Sequence, residues 1–415
     1  MRSFLFVFHR ALRQMLRVKG GIFVLKKLEA RWYRPKKGPC KFPIRQLARL
    51  GICEGFFIGK IMKIITVESI RELIHRHGFD KYLLDLMKDL KRDFGKWHAF
   101  THMPRPAMHV PGGVLELMPI CDNEIYYSFK YVNCHPKNPS LGKQTVVATG
   151  QLSRIDTGYP VMFSEMTILT ALRTAATSAL ATDLMSRQNA STVAIIGTGS
   201  QSEFQIQALQ LVRDITEVRY FDIDDAAMDK FAKNMQDKQF RLVRCINVEE
   251  AVKGADIITV CTACKAHVDV IKNDWIKDGV HINALGGDTV GKTEIEKSIL
   301  PRCRIAVEYF DQSFIEGEIQ RFSEKEARRR VFAELHELVT GVKKGRVNDK
   351  EITLYDSVGI ALEDYSVLRL TYELAEKYHI GEDFTFTPVL SDQKDLIGIL
   401  KKNKTQTQEH GILAL

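Results

Sequence analysis

Two glycines, Gly197 and Gly199, stand directly after the apolar run 193–196, and a second apolar run, 218–221, stops at Asp222. That spacing suits phosphate chemistry. The first glycine permits a tight turn, the second lets the backbone approach a pyrophosphate, and the N–H groups opening a following helix then face negative charge. Asp222 would bond the 2′-hydroxyl of an adenosine ribose. Behind it come Ile223, Asp224 and Asp225, with no cation for a 2′-phosphate, which favours NAD over NADP. The third motif position holds Ser202 instead of Gly or Ala, a residue still small enough for close packing. Further along, Thr262 follows the run ending at Cys261, and Gly286, Gly287 and Asp288 follow the run ending near Leu285. Ligands of open α/β sheets bind beyond the carboxyl ends of the strands, so Asp288 either faces a nicotinamide or caps the next helix. Two cations sit in apolar settings, Arg173 in the helix-like LRTAATS and Lys130 in the β-rich YYSFKYVN. Each either snorkels to solvent or clamps a phosphate or carboxylate.

The elements that must position these residues follow from hydrophobic spacing. Phe204, Ala208, Leu211 and Ile215 recur at steps of four, three and four, the buried face of a crossover helix. The runs 242–246, 257–261, 280–285 and 305–309 are further strand candidates separated by helix-like stretches, so the spacing predicts a parallel sheet covered on both faces. Upstream, Val67, Ile70, Leu73 and Ile74 mark one helix, and Leu83, Leu84, Met87 and Leu90 another. Short β-rich runs at 114–118, 125–132 and 144–152 come next, and an alanine-rich helix at 167–185 leads into the glycine turn. Downstream, Phe332, Leu335, Leu338, Val339 and Val342 fall on one helical face, and 360–376 forms a last helix. The reading is an α/β protein: a Rossmann-type dinucleotide-binding domain over 181–354, and an α+β domain over 62–180 completed by a returning segment, 355–402. Residues 403–415 form a frayed tail.

Net charge separates the chain into two parts. Residues 1–60 carry a net charge of +13, and the remaining 355 a net of −4. The body of the protein therefore has no electrostatic footprint for nucleic acid. The basic segment 1–61 is read as an extension, with the regular part opening at Met62; its short apolar stretch and poverty in Ser fit neither a signal peptide nor a transit peptide well. No run approaches the length of a membrane span. Eight scattered cysteines, with Cys261 and Cys264 as a lone C-x-x-C, do not complete a zinc site. Reduced thiols in a cytoplasmic enzyme, without a metal, are the expectation.

Long blocks extend the reading. VLELMP, FKYVNCHPKNP, TGYPVMFSEMTILTALRTAATSALAT, AIIGTGSQSEFQ, NALGGDTVGKTE, VEYFDQSFIEGEIQ and YDSVGIALEDYSVLRL resemble, in order and spacing, the ornithine cyclodeaminase and mu-crystallin family, over nearly all the chain from Met62 to about Lys402. The resemblance implies a homodimeric enzyme with a bound NAD that is not consumed. In the route it implies, hydride leaves the α-carbon of L-ornithine for NAD+, the substrate's δ-amine closes a five-membered ring, ammonia departs, and the hydride returns to give L-proline. Closure is favoured because both reactants belong to one molecule.

By the same resemblance Arg105 and Lys130 hold the substrate carboxylate, Arg173 reaches both substrate and cofactor, and Glu116, Met118 and Val358 line the substrate pocket. Asp288 is the acid/base group; an ordinary carboxyl, with a pKa of about 3.9, is ionised at neutral pH and can accept a proton. Cofactor-binding positions implied are Thr145, Ser200, Gln201, Thr262, Leu285, Lys292 and Ser357, beside Gly197, Gly199, Asp222, Gly286 and Gly287. Ser200 replaces an alanine, a change without effect where only its backbone N–H is used. Other reactions on the scaffold are ketimine reduction, amino-acid dehydrogenation and lysine cyclodeamination. A non-catalytic binding role, as in mu-crystallin, is disfavoured by the retention of Arg105, Lys130, Arg173 and Asp288.

Overall fold

A computed structural model describes residues 62–263, 267–287, 289–390 and 392–401, all within the unit Ile58–Leu415. The basic extension, the tail beyond 401, Cys264 and Asp288 lie outside the described residues. Two eight-stranded sheets dominate.

The first sheet opens with β1 (Met62–Ile65), followed by helices α1 (Val67–His77) and α2 (Phe79–Gly95). It continues through β2 (Thr101–His102), β3 (Ala107–Val110), β4 (Gly113–Cys121), β5 (Tyr126–Cys134), β6 (Val146–Arg154) and β7 (Pro160–Glu165). The long strands β4 to β6 form an antiparallel meander in which residues alternate between two faces. Met118, Lys130, Val132 and Ala148 are buried on the inner face; Leu117, Tyr131 and Val147 are exposed on the other. Met118 and Lys130 are direct cross-strand partners.

Helix α3 (Thr167–Met185) connects to the second sheet. It is buried on nearly every side, which explains its Ala-rich sequence: a helix packed all round needs small residues. The second sheet contains β8 (Thr192–Ile196), α4 (Ser202–Leu209), β9 (Glu217–Phe221), α5 (Asp225–Met235), β10 (Arg241–Arg244), α6 (Val248–Val252), β11 (Ile257–Val260), β12 (His267–Ile271), β13 (His281–Ala284), β14 (Thr293–Ile295), β15 (Cys303–Val307), α7 (Phe310–Glu316), α8 (Glu324–Arg330), β16 (Val331–Glu334), α9 (Leu335–Val339) and β17 (Ile352–Asp356). Its order is β10-β9-β8-β11-β13-β17-β15-β16, parallel throughout; β12 and β14 pair separately. The order reverses beside β8, which lies between β9 and β11. That switch point opens a crevice at the strands' carboxyl ends. Finally α10 (Ala361–Tyr378) packs across β4, β5 and β6, and β18 (Glu382–Phe384) pairs with β1.

Three local expectations change. The crossover helix ends at Leu209, not Ile215, and its buried residues are Ser202, Gln205, Ile206, Ala208 and Leu209. Beyond it the chain turns so that Arg213 donates to the carbonyls of Thr182 and Asp183 at 3.2 and 2.9 Å, satisfying the end of α3. Phe332 lies in strand β16, because hydrogen bonding to β15 outweighs the helical spacing of 332–342. On α2 Leu84 is exposed, and Leu86 and Phe94 carry the core instead.

Candidate active site

The nucleotide-facing half of the site is built by the turn after β8. Gly197 has φ +91°, and a Cβ there would lie 2.9 Å from the backbone of Cys261 and Thr262. Only glycine suits both the conformation and the close approach of β11. Next to it Thr198 donates its N–H to the Asp222 carboxylate at 2.6 Å, and its hydroxyl at 3.2 Å. Asp224 N–H binds the other Asp222 oxygen at 3.0 Å. The carboxylate that ends β9 thus also fixes the glycine turn. Ser202, fully buried, donates its hydroxyl to the Gly199 carbonyl at 2.8 Å, so the residue that departs from the glycine pattern ties the turn to α4. Gln201 Oε1 is buried without a protein partner beside a cleft of about 700 Å³.

Across the crevice, Thr262 donates its hydroxyl to Glu294, and its carbonyl accepts from Lys292 at 3.2 Å. A Cβ on Gly286 would fall 1.5 Å from Glu294 Oε2, so a side chain there would displace that carboxylate. Buried acids clamp the neighbouring loops. Glu318 accepts from the N–H of Glu294 and Ile295 at 2.7 and 3.1 Å, and Asp356 accepts from Glu318 and Ile319 at 2.9 and 3.1 Å. Burial pushes the Asp356 carboxyl up to about 7, despite these backbone donors.

At the other end of the cleft, three cations converge from three elements. Arg105, on the loop after β2, donates to the carbonyls of Val358 and Gly359 at 3.1 and 3.3 Å, pairs with Glu116 at 3.1 Å and contacts Glu316. Lys130 on β5 is 1% exposed and donates to Asp364 at 2.9 Å. Arg173 on α3 binds Asp364 at 3.1 Å and Glu363 at 2.7 Å. Burial pushes the Lys130 ammonium down to about 8, against the pull of Asp364. The loop 357–359 that closes this end hangs on Glu308, which accepts from Ser357 Oγ at 2.5 Å and from the N–H of Val358 and Gly359 at 3.0 and 2.7 Å.

One cleft therefore gathers Arg105, Glu116, Lys130, Arg173 and Val358 with Thr145, Gly199, Ser200, Gln201, Asp222, Thr262, Leu285, Lys292 and Ser357. Met118 lies behind it, lining a small niche with Arg105, Trp97 and Tyr309. Gly197, Gly286 and Gly287 are buried and back the cleft without lining it. Asp288 is outside the described residues. Sequence reasoning missed Asp364, Glu363, Glu308 and Glu316. Acids at the start of α10 carry the ordinary signature of a helix N-terminus, and nothing local shows that they are buried.

Fold and site define the class: a Rossmann-type enzyme whose crevice beside the glycine turn continues into a pocket lined by cations. Residues 68–379 match the model of the ornithine cyclodeaminase/mu-crystallin family, and the chain belongs to that family. It is 46% identical over 343 residues, 82% of this chain and 94% of the relative, to an ornithine cyclodeaminase of Agrobacterium tumefaciens strain Ach5. Among solved structures it resembles an archaeal alanine dehydrogenase dimer with bound NAD, at 32% identity and TM-score 0.73 over 79% of this chain and all of that one. A lysine cyclodeaminase structure, described as recognising L-lysine, L-ornithine and L-2,4-diaminobutyric acid, matches at 26% identity and TM-score 0.75, covering 80% and 97%.

Proposed function

We propose that the chain is an ornithine cyclodeaminase, converting L-ornithine to L-proline and ammonia with bound NAD. One observation carries the reading: three cations with covered side chains, Arg105, Lys130 and Arg173, share a cleft with the glycine turn and Asp222. The crevice suits the cofactor, since it offers a glycine turn, a buried unpartnered Gln201 oxygen and an acid at the end of β9. When bound, NAD would supply a reversible hydride acceptor at the substrate's α-carbon.

The residues of the chain do the rest. Arg105 and Lys130 would take the substrate carboxylate and Arg173 would bridge toward the cofactor, so that the amino acid is held in one orientation. Asp288, which follows β13 in the sequence, would accept a proton from the reacting amine nitrogens. Glu116 and Val358 line the same pocket and would bound the side-chain amine. The cofactor residues would be Thr145, Ser200, Gln201, Asp222, Thr262, Leu285, Lys292 and Ser357, on the turn backed by Gly197, Gly286 and Gly287.

The same reading makes the enzyme a homodimer working in the cytoplasm on proline formation from ornithine. The exposed apolar residues Met108, Leu117, Tyr131 and Val147 on the outer face of the first sheet support a second copy there. So does the dimeric state of the alanine dehydrogenase relative. The regular part, 62–180 with the segment 355–402, forms the substrate and dimer domain, and 181–354 the NAD domain.

The test is to incubate the purified protein with L-ornithine and NAD+ and follow ammonia, proline and NADH together. Ammonia and proline in equal amounts without accumulating NADH establish the reaction. Steady NADH accumulation, or no turnover of ornithine, moves the function to a dehydrogenase, a ketimine reductase or a lysine cyclodeaminase.

A further inference from the structure

The cations of the substrate end repel one another and come from distant parts of the chain, yet they are held side by side. Two of them, Lys130 and Arg173, are joined by one carboxylate oxygen. Asp364 Oδ1, on the first turn of α10, accepts from Lys130 Nζ at 2.9 Å and from Arg173 Nε at 3.1 Å. Asp364 is 1% exposed and does not line the cleft, and its second oxygen is buried without a partner. Burying an acid with one oxygen unsatisfied is costly. Helix-end geometry does not require it, because Ile360 is the residue at the N-cap.

We infer that Asp364 is a positioning residue for the carboxylate receptor, keeping Lys130 charged and aligned with Arg173 so that the two cations meet the substrate carboxylate together. The inference rests on the cyclodeaminase reading. The groups that face Lys130 are Asp364 from α10, Arg173 from α3 and Arg105 from the loop after β2. Two of the three are cations that disfavour its ammonium, and Asp364 is the strongest charge opposing them. Glu363, its neighbour on α10, binds Arg173 Nη1 through Oε2 at 2.7 Å.

The experiment compares Asp364→Asn, which keeps the volume and removes the charge, with the wild type on L-ornithine across pH. Burial pushes the Lys130 ammonium down to about 8, so wild-type kcat/KM should fall as pH rises through that region. In Asp364→Asn the fall should begin at lower pH, and KM at pH 7 should rise about tenfold or more, with kcat changed less. In a Lys130→Arg background, where the cation cannot deprotonate, the same substitution should no longer move the alkaline limb. A wild-type KM and an unmoved limb in Asp364→Asn would overturn the inference. Should that variant not fold, Lys130→Arg alone decides: loss of the alkaline limb supports the charge role and an unchanged limb overturns it. A wild type that makes no proline from L-ornithine fails the cyclodeaminase reading instead, so the two failures are distinct.

Discussion

Replacing Asp222 separates its role in the turn from its role toward the ribose. Its carboxylate already accepts three bonds, two from Thr198 and one from Asp224. An ionised carboxylate offers about four acceptor sites, so capacity remains for a ribose hydroxyl. A hydrogen bond to a charged group contributes about 1.5–3 kcal/mol. Its loss in Asp222→Ala should therefore weaken NAD binding by about tenfold to about a hundredfold. The same variant strips the Thr198 N–H of its partner, which costs about 1–3 kcal/mol when the group stays buried, so its Tm should fall as well. Asp222→Asn keeps a neutral oxygen for Thr198 and should hold the Tm close to wild type while still weakening NAD. At saturating NAD both variants should turn over ornithine at nearly the wild-type kcat, because Asp222 makes no hydrogen bond to Arg105, Lys130 or Arg173. Calorimetric titration with NAD+ and thermal unfolding measure both effects. An Asp222→Ala protein that binds NAD+ within about twofold of wild type would refute the ribose assignment.

Asp288→Asn should abolish turnover while NAD stays bound, since it removes a proton acceptor and little volume; proline formation at the wild-type rate would sink the acid/base role. His281 is fully buried between Thr353 and Asn283 at 3.0 and 3.1 Å, and burial pushes it down to about 3. Its unfolded form takes up a proton below about pH 6.5 while the folded form does not, so its contribution to stability is present above that pH and is lost as pH falls toward 3. His281→Leu should therefore unfold with a shallower dependence on pH than the wild type between about pH 6 and 4 in urea titrations. Identical slopes in the two proteins would remove His281 from the acid response.

How much could be read from the chain depends on the range of the interaction. The turn of β8, Gly197, Gly199 and Asp222 is legible because strand, turn and helix follow within about thirty residues, the span of one βαβ unit. Most of the sheet containing it, β9 to β11, β13 and β15 but not β17, which is absent from the strand candidates, is legible for the same reason, since these runs are apolar and bounded. Strands β12, β14 and β16 are not, because three to five residues carry little periodicity, and Phe332 shares a helical spacing with residues that really are in α9.

The electrostatic half of the site is less legible, for a physical reason rather than for want of a motif. Arg173 and Lys130 are 190 or more residues away from the acids that fix them. Only the return of α10 across β4, β5 and β6 brings Asp364 and Glu363 underneath. In the chain, two acids opening a helix look like residues that favour the helix dipole and face water. Buried beside the cations, Asp364 instead joins Lys130 to Arg173, and Glu363 binds Arg173. Glu308 illustrates the point again: a lone acid after an apolar strand, it holds Ser357, Val358 and Gly359 in place from about fifty residues away. A substrate pocket of like charges needs counter-charges that do not touch the substrate, and folding, not local pattern, supplies them.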